Sequence, residues 1–439
     1  MVENAEIADE MVQPKPAVHH WFYPWLIWGL GAAFFFSEYL GRVAPSVVVP
    51  ELSLEFHVSA LSLGALSSMF LWPYIFMQMP VGMLVDRYGP HKLLTVTAAL
   101  CGLGCFAFAM AEGIFLAQVG RFLMGFGAAF AFVGALKLAT MWFCPTRFGL
   151  LAGLTQALGM LGAALGQGPL AAMVESLGWR KTMWLIGGIL LIIATLIGFV
   201  VRDKHAIHTS DIQDPSEELA SHISFRDAFS RVLKNPQSWL NGLYVGLIYA
   251  PTGAFAEFWG TTYVQHNNGL SKVVAAQAIS CIFLGWTIGG PLAGMLSDRI
   301  KRRKPVMYIS ALLSLITMSA ALYIPNLSVS ILFLLMFLYG LSNTGVGVSY
   351  ALAGEINDRK VAGTSLAFAN MASIIIAAAF QPLIGWFLDL QWDGQLVNGI
   401  PSYSIEAYRY AMIALPMCLG LGVLSTFFVK ETYCKLKGS

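Results

Sequence analysis

Gly82-Met83-Leu84-Val85-Asp86-Arg87-Tyr88-Gly89-Pro90-His91-Lys92 is answered, about half the chain later, by Gly294-Met295-Leu296-Ser297-Asp298-Arg299-Ile300-Lys301-Arg302-Arg303-Lys304. Each stretch lies where a long apolar run stops and a basic turn begins. A Gly-x-x-x-Asp-Arg core repeated at half-length marks an internally duplicated chain. Gly82 and Gly294 suit the close approach of two helices. Asp86 and Asp298 suit capping of a neighbouring helix start, and the cations hold both turns on one side of a bilayer. The second copy lacks the late glycine, Gly89, and carries extra cations. The echo continues outside the turns: one constant offset separates Gly149 from Gly363, Gln167 from Gln381 and Glu175 from Asp389.

Hydrophobic residues make up 57% of the chain and charged residues 11%, with a mean hydropathy of +0.67. Soluble domains carry roughly 25% charged residues, so lipid is the solvent for most of this chain. The formal charge of +2 gives no case for a nucleic-acid partner. The first twenty residues hold Glu3, Glu6, Asp9 and Glu10 and no short apolar core, so no cleavable signal peptide is expected. The cysteines lie mostly in apolar runs and read as small buried hydrophobes rather than disulfides or metal ligands. No phosphate loop, metal-spaced histidine pair or nucleophile motif is present. The chain is therefore expected to be no enzyme, with no metal or cofactor.

A spanning helix needs about 20 apolar residues, and twelve runs are expected to qualify. Helices 1 to 6 fall at roughly 22–50, 61–85, 92–111, 114–143, 147–173 and 182–201; helices 7 to 12 fall at roughly 238–266, 273–297, 305–325, 328–354, 361–389 and 405–429. The expected organisation is an N-terminal tail (1–20), a six-helix bundle (21–201), a polar linker (202–235), a second six-helix bundle (236–430) and a C-terminal tail (431–439). The fold class is thus all-α and integral to the membrane, as two pseudo-symmetric six-helix bundles. Within the linker, residues 224–233 suit an amphipathic surface helix. Lys and Arg concentrate in the segments that a topology with both termini cytoplasmic places inside, against only Arg180, Lys181, Lys272 and Arg409 outside.

Charged groups within spans are costly and face a cavity or a partner. Five are present: Glu38 and Arg42 in helix 1, Arg121 and Lys137 in helix 4, and Glu257 in helix 7. Three are cations, which favours an anion. Glu38 and Arg42, four apart, share a helix face. Two readings follow: an internal ion pair, or an Arg42 that grips a substrate carboxylate or phosphate while Glu38 competes and titrates. Pro45 and Pro50 suggest a bent helix 1. Arg121 divides between anion binding and packing, and Lys137 between snorkelling to the inner side and lining the cavity. Glu257 follows Pro251 and Gly253, which break a helix where it lines a cavity. It is a candidate proton carrier or a hydrated group at the outer interface. Neutral candidates for substrate contact are Tyr39, Tyr74, Gln78, Gln156, Asn343, Asn370 and Gln381, each of which has the alternative of bonding a neighbouring helix.

The paired turns resemble the loop motif of the major facilitator superfamily, found between helices 2 and 3 and again between helices 8 and 9. Gly120-Arg121-Phe-Leu-Met-Gly125-Phe-Gly127-Ala-Ala129 is similar to its helix 4 motif. Tyr39-Leu-Gly-Arg42, Ser46, Ser67-Ser-Met-Phe-Leu-Trp72-Pro-Tyr74 and the first turn look like the anion:cation symporter branch. The resemblance implies alternating access around a midplane site between halves. It also implies a small organic anion as substrate, coupling to protons or sodium, and gating turns built on Gly82, Asp86, Arg87, Gly89, Lys92, Gly294, Asp298 and Arg299. Two departures stand out: Gly41 replaces the usual helix 1 Asp, and Ala128 the usual helix 4 carboxylate. Glu38 or Glu257 is then the substitute proton site, or the protein is a uniporter or exchanger. A drug:proton antiporter is the rival, weakened because Gly162-x-x-x-Gly166 is followed by Gln167 rather than Pro. A transport-dead sensor on the same fold would be expected to carry an appended domain or long tail. The expected setting is a monomer in a bacterial inner membrane.

Overall fold

The computed structural model describes residues 22–203, 225–397 and 399–435. The expected N-terminal tail and most of the linker lie outside the described residues. Ten helical spans among the described residues are long and apolar enough to cross a bilayer. The two expected spans outside that set are helices 1 and 7, which hold the buried Glu38 and Glu257. Helix 1 runs Phe22–Val43, then a 3₁₀ turn Ala44–Val47 and a short helix Val49–Phe56. Helix 7 is Pro236–Pro251, a π-helical stretch Thr252–Trp259, and Gly260–Asn268. The expectation of a bent helix 1 holds: Pro45 opens the 3₁₀ turn and Pro50 the short helix.

The remaining spans are helix 2 (Ala60–Ser68, Leu71–Met77, Pro80–Tyr88), helix 3 (Pro90–Ala109) and helix 4 (Ile114–Ala128, Ala131–Trp142). Helix 5 is Phe148–Leu165 with Gly168–Leu177, and helix 6 is Trp179–Val200. Helices 8 and 9 are Lys272–Ile300 and Lys304–Tyr323. Helix 10 is Val329–Ser342 with Gly345–Glu355, helix 11 is Ala362–Leu390, and helix 12 is Ile405–Ala411 with Ala414–Phe428. Side-chain oxygens of Asn235, Ser271, Ser328 and Ser404 cap the starts of helices 7, 8, 10 and 12.

The amphipathic segment of the linker forms a helix, Phe225–Lys234. Its apolar face packs on protein: Ala228 and Val232 are buried with Val361 and Phe368 of the second half, and Met79 of helix 2 packs against them.

Both halves tie their basic turn in the same way. After helix 6, an Asp203 oxygen accepts from His91 N (3.0 Å) at the start of helix 3. After helix 12, Glu431 accepts from Arg303 N (2.8 Å) and Lys304 N (3.1 Å) at the start of helix 9. Each carboxylate satisfies amides that a helix start leaves free. The capping expected of Asp86 and Asp298 is therefore performed by residues following the sixth helix of each half. Gly89 has φ +79° and ψ 148°, a region open to glycine alone.

Candidate functional site

A cavity of about 570 Å³ lies between the halves. Its deep end is lined by Tyr39, Arg42, Tyr249 and Glu257, and it continues to Gly82, Met83, Asp86, Gly363 and Thr364 at the inner ends of helices 2 and 11. "Inner" here means the side of the motif turns. On the opposite side the halves are sealed. Asp389 of helix 11 accepts from the backbone of Ala60 (3.2 Å) and Leu61 (3.0 Å) at the start of helix 2, and from the Tyr403 hydroxyl (2.5 Å). Lys272 pairs with Glu51 across the same seam. Helices 2 and 11 touch backbone to backbone there: a Cβ on Gly64 would collide with Gln381 and Pro382, and one on Gly385 with Ala60. The conformation is open inward and closed outward.

Arg42 is 3% exposed and Glu257 2%. Arg42 Nε donates to Glu257 Oε2 (3.1 Å), Arg42 Nη2 to the Tyr249 hydroxyl (3.0 Å), and that hydroxyl to Glu257 Oε1 (2.7 Å). The guanidinium also stands 5.1 Å from the Tyr39 ring centroid and 5.5 Å from that of Tyr74. A cation from the first half and an acid from the second thus meet within an aromatic wall. Tyr249 and Glu257 are eight residues apart, roughly 12 Å along an ideal α-helix. The π-helical stretch begins between them, at Thr252, and their side-chain tips meet.

This pairing corrects the reading of helix 1 as a Glu38–Arg42 ion pair. Arg42 turns to helix 7. Glu38 is buried, lies outside the cavity lining, and has no hydrogen bond on either oxygen among the described residues. The reading of Glu257 as a hydrated outer group is likewise overturned by its burial.

Of the other expected site residues, Tyr39, Tyr74, Gln156 and Asn370 line the cavity. Asn370 Nδ2 donates to Gln78 Oε1 (2.6 Å) across the halves, and Tyr350 donates to Asn370 (3.0 Å). Arg121, Asn343 and Gln381 do not line it, because their polar atoms serve broken helices. Arg121, 1% exposed, donates to the carbonyls of Gly41 (2.8 Å), Arg42 (3.1 Å) and Ser67 (3.2 Å). These sit where helix 1 gives way to its 3₁₀ turn and where the first segment of helix 2 ends. A guanidinium is the natural partner for carbonyls freed at helix ends. Asn343 donates to Ile248 O (3.1 Å) and accepts from Thr252 (3.0 Å), while Gln381 donates to Gly253 O (2.8 Å). Tyr249, Thr252, Trp286, Tyr350 and Ser373 line the cavity without having been singled out. For Tyr249 a signal existed, since it stands just before Pro251 and Gly253.

The motif turns differ from expectation in detail. Among the described residues a Cβ at Gly82 or Gly294 would meet no atom within 4 Å, so neither mediates close packing with them in this inward-open state. Asp86 pairs with Lys137 of helix 4 (2.7 Å), at a half-exposed site. Arg87 stands 5.5 Å from the Tyr88 ring centroid, and Lys92 is exposed. In the second copy Arg303, rather than Arg299, holds the network, donating to Asp298 (2.5 Å) and Glu355 (2.7 Å). Arg299 is exposed and makes no ion pair among the described residues. Burial works against the Arg303 charge, but Glu355 and Asp298 outweigh it and hold its pKa above the ordinary value.

Residues 31–382 match the sequence profile of the Major Facilitator Superfamily. The chain belongs to that superfamily. It is 24% identical over 419 residues to a probable sulfoacetate transporter, SauU, of Cupriavidus necator, covering 92% of this chain and 93% of that protein. It is also 24% identical over 408 residues to the membrane sensor protein UhpC of Escherichia coli K12, covering 89% and 90%. In fold it is similar to a bacterial homologue of the human lysosomal transporter Spinster, solved in an inward-facing and unoccupied conformation. That likeness has a TM-score of 0.79 at 15% identity and covers 97% of this chain and all of that one. The protein is a multi-pass membrane transporter and not an enzyme.

Proposed function

We propose that this transporter carries a small organic anion by alternating access, with Arg42 as the anion-binding group and Glu257 as its exchangeable counterion. The observation that carries the reading is the buried Arg42–Glu257 pair joining the halves at the head of the cavity. Without substrate the pair is neutral. A carboxylate or sulfonate that takes the Arg42 donors releases Glu257 into a low-dielectric site, where an unpaired charge costs several kcal/mol. A proton on Glu257 removes that charge, so one anion enters with one proton. Glu38, one turn from Arg42 on helix 1 and without a hydrogen bond among the described residues, is not needed as an acceptor in this scheme. The similarity to a probable sulfoacetate transporter supports an anionic substrate. Gln156 and the Gln78–Asn370 pair supply neutral donors nearer the cavity mouth. The setting we propose is a bacterial inner membrane, with a single chain as the working unit and both termini cytoplasmic.

A second reading has a specific observation behind it: one relative is a membrane sensor. A sensor would bind the anion at the same pair without moving it. Thermal shift of the purified protein against sulfoacetate, simple carboxylates and lipophilic cations tests binding, and uptake into proteoliposomes tests movement. Stabilisation by anions, loss of it in Arg42→Ala, and anion uptake support the proposal. Stabilisation without uptake supports the sensor reading, and stabilisation by lipophilic cations alone overturns both.

A further inference from the structure

Gln167 and Gln381, the repeat-related glutamines, converge on one object. Gln167 Nε2 donates to Ala256 O (2.7 Å) and Gln381 Nε2 to Gly253 O (2.8 Å). Both acceptors lie in the π-helical stretch of helix 7, Thr252–Trp259, and Trp259 Nε1 returns a bond to Gln381 O (2.8 Å). A widened turn tilts carbonyls outward for side-chain donors, and such turns gather at working sites. Glu257 lies inside this bracket.

The two glutamines differ in one respect. Gln381 belongs to the same half as helix 7. Gln167 belongs to the other half, is completely buried, and sits at the break in helix 5 with irregular backbone angles. Its Oε1 accepts from Thr261 of helix 7 (3.2 Å) and shares the single hydroxyl proton of Ser46 in the helix 1 bend (2.9 Å) with Val43 O (2.7 Å). Ser46 is one turn beyond Arg42, and Ala256 is the residue before Glu257. The same break is braced by Gly168 N donating to Ser280 Oγ of helix 8 (3.1 Å).

We propose that Gln167 is a positioning residue that couples the outer seal to the Arg42–Glu257 pair by strapping the helix 1 bend to the π-helical turn of helix 7. This goes beyond the anion reading but shares its premise that the halves rock. Opening outward separates the halves at this seam, so the bonds from Gln167 to Ala256 and Thr261 break while those from Gln381 persist. Freed of the strap, the turn rewinds and Glu257 leaves Arg42. Sealing the outer side therefore sets the charge pair, and opening it releases the pair.

The test is substrate-free. Spin labels replace the exposed Glu175, on the outer end of helix 5, and Glu406, at the outer start of helix 12, in a protein whose six native cysteines are substituted. Pulsed electron resonance then reads the distance between the outer ends of the two halves. Gln167→Ala should raise the long-distance fraction about tenfold, the shift expected from losing one or two net hydrogen bonds across the seam. Gln167→Met, of similar length but with neither donor nor acceptor, should give a rise of the same order. Gln381→Ala should leave the distribution unchanged, although it loses an equivalent bond to the same turn. Asp389→Ala, which removes a separate outer clasp, is the positive control. If Asp389→Ala opens the outer side and neither Gln167 variant does, Gln167 is not the strap. If none of the variants opens it, the proposal falls together with the rocking premise.

Discussion

Glu257→Gln separates the two roles assigned to this acid, as partner of Arg42 and as proton carrier. The amide retains the shape of the side chain, and its oxygen can still accept from Arg42 or Tyr249, but the charge is gone. In the parent, an entering anion displaces a buried, charge-assisted partner from Arg42 at 3.1 Å. Hydrogen bonds to charged groups contribute about 1.5–3 kcal/mol, and each 1.4 kcal/mol is a factor of ten. With a neutral competitor the anion should bind roughly ten- to a hundredfold more tightly. Arg42 then carries an uncompensated charge in the empty site, which costs about 3–5 kcal/mol when one partner of a buried pair is removed. The empty variant should therefore melt earlier than the parent and recover more on adding anion. It should exchange labelled anion across proteoliposomes yet fail to accumulate it against a gradient when a proton gradient is imposed. Proton-driven accumulation at the parent level would refute the assignment of Glu257. An unchanged affinity would refute the claim that it competes for Arg42.

Arg42→Ala should abolish anion-dependent stabilisation and uptake while the protein still elutes as a folded species; retained uptake removes Arg42 from the site. Arg121→Ala removes the side-chain donor from the carbonyls of Gly41 and Arg42, while Ser67 O keeps the Phe70 amide (3.3 Å). It should cost about 2–6 kcal/mol, at 1–3 kcal/mol for each of the two stranded groups, measured by denaturation in detergent. The folded remainder should keep its KM, whereas a raised KM with normal stability would return Arg121 to the binding site. Gly89→Ala forces a side chain into a backbone region costing about 1–3 kcal/mol and drives its Cβ into the Asp203 carboxylate. The same denaturation assay should therefore show a loss, and an unchanged midpoint would contradict the described turn.

The architecture was readable because its causes are local or repetitive. Apolar length fixes spans, Lys and Arg bias suggests a side, and the Gly82 and Gly294 stretches expose the duplication. Arg42 was legible as a site residue because a cation in a span needs a reason. Its partner was not, since Glu257 is 215 residues away and only the rotation of helices 1 and 7 decides whether they meet. Glu38, at i and i+4 spacing, was the nearer candidate on sequence grounds, and helix rotation overruled it. Arg121, Asn343 and Gln381 were drawn into the expected site because breaks in helices 1, 2 and 7 free backbone groups that these side chains satisfy. Pro251 and Gly253 announce a break in helix 7, but nothing local announces that it winds as a π-helix. Arg303 took the place expected of Arg299 because its guanidinium reaches both Asp298 and Glu355, the latter at the end of helix 10.

The central claim is that an anion occupies Arg42 by displacing Glu257, which then takes a proton. Calorimetric titration of the purified protein with sulfoacetate and with simple carboxylates, in buffers of differing ionisation enthalpy, counts protons taken up per anion bound. The account predicts about one proton per anion bound in the parent and none in Glu257→Gln, the displaced acid being the acceptor. Anion binding with no proton uptake in the parent, or equal uptake in both proteins, would contradict it.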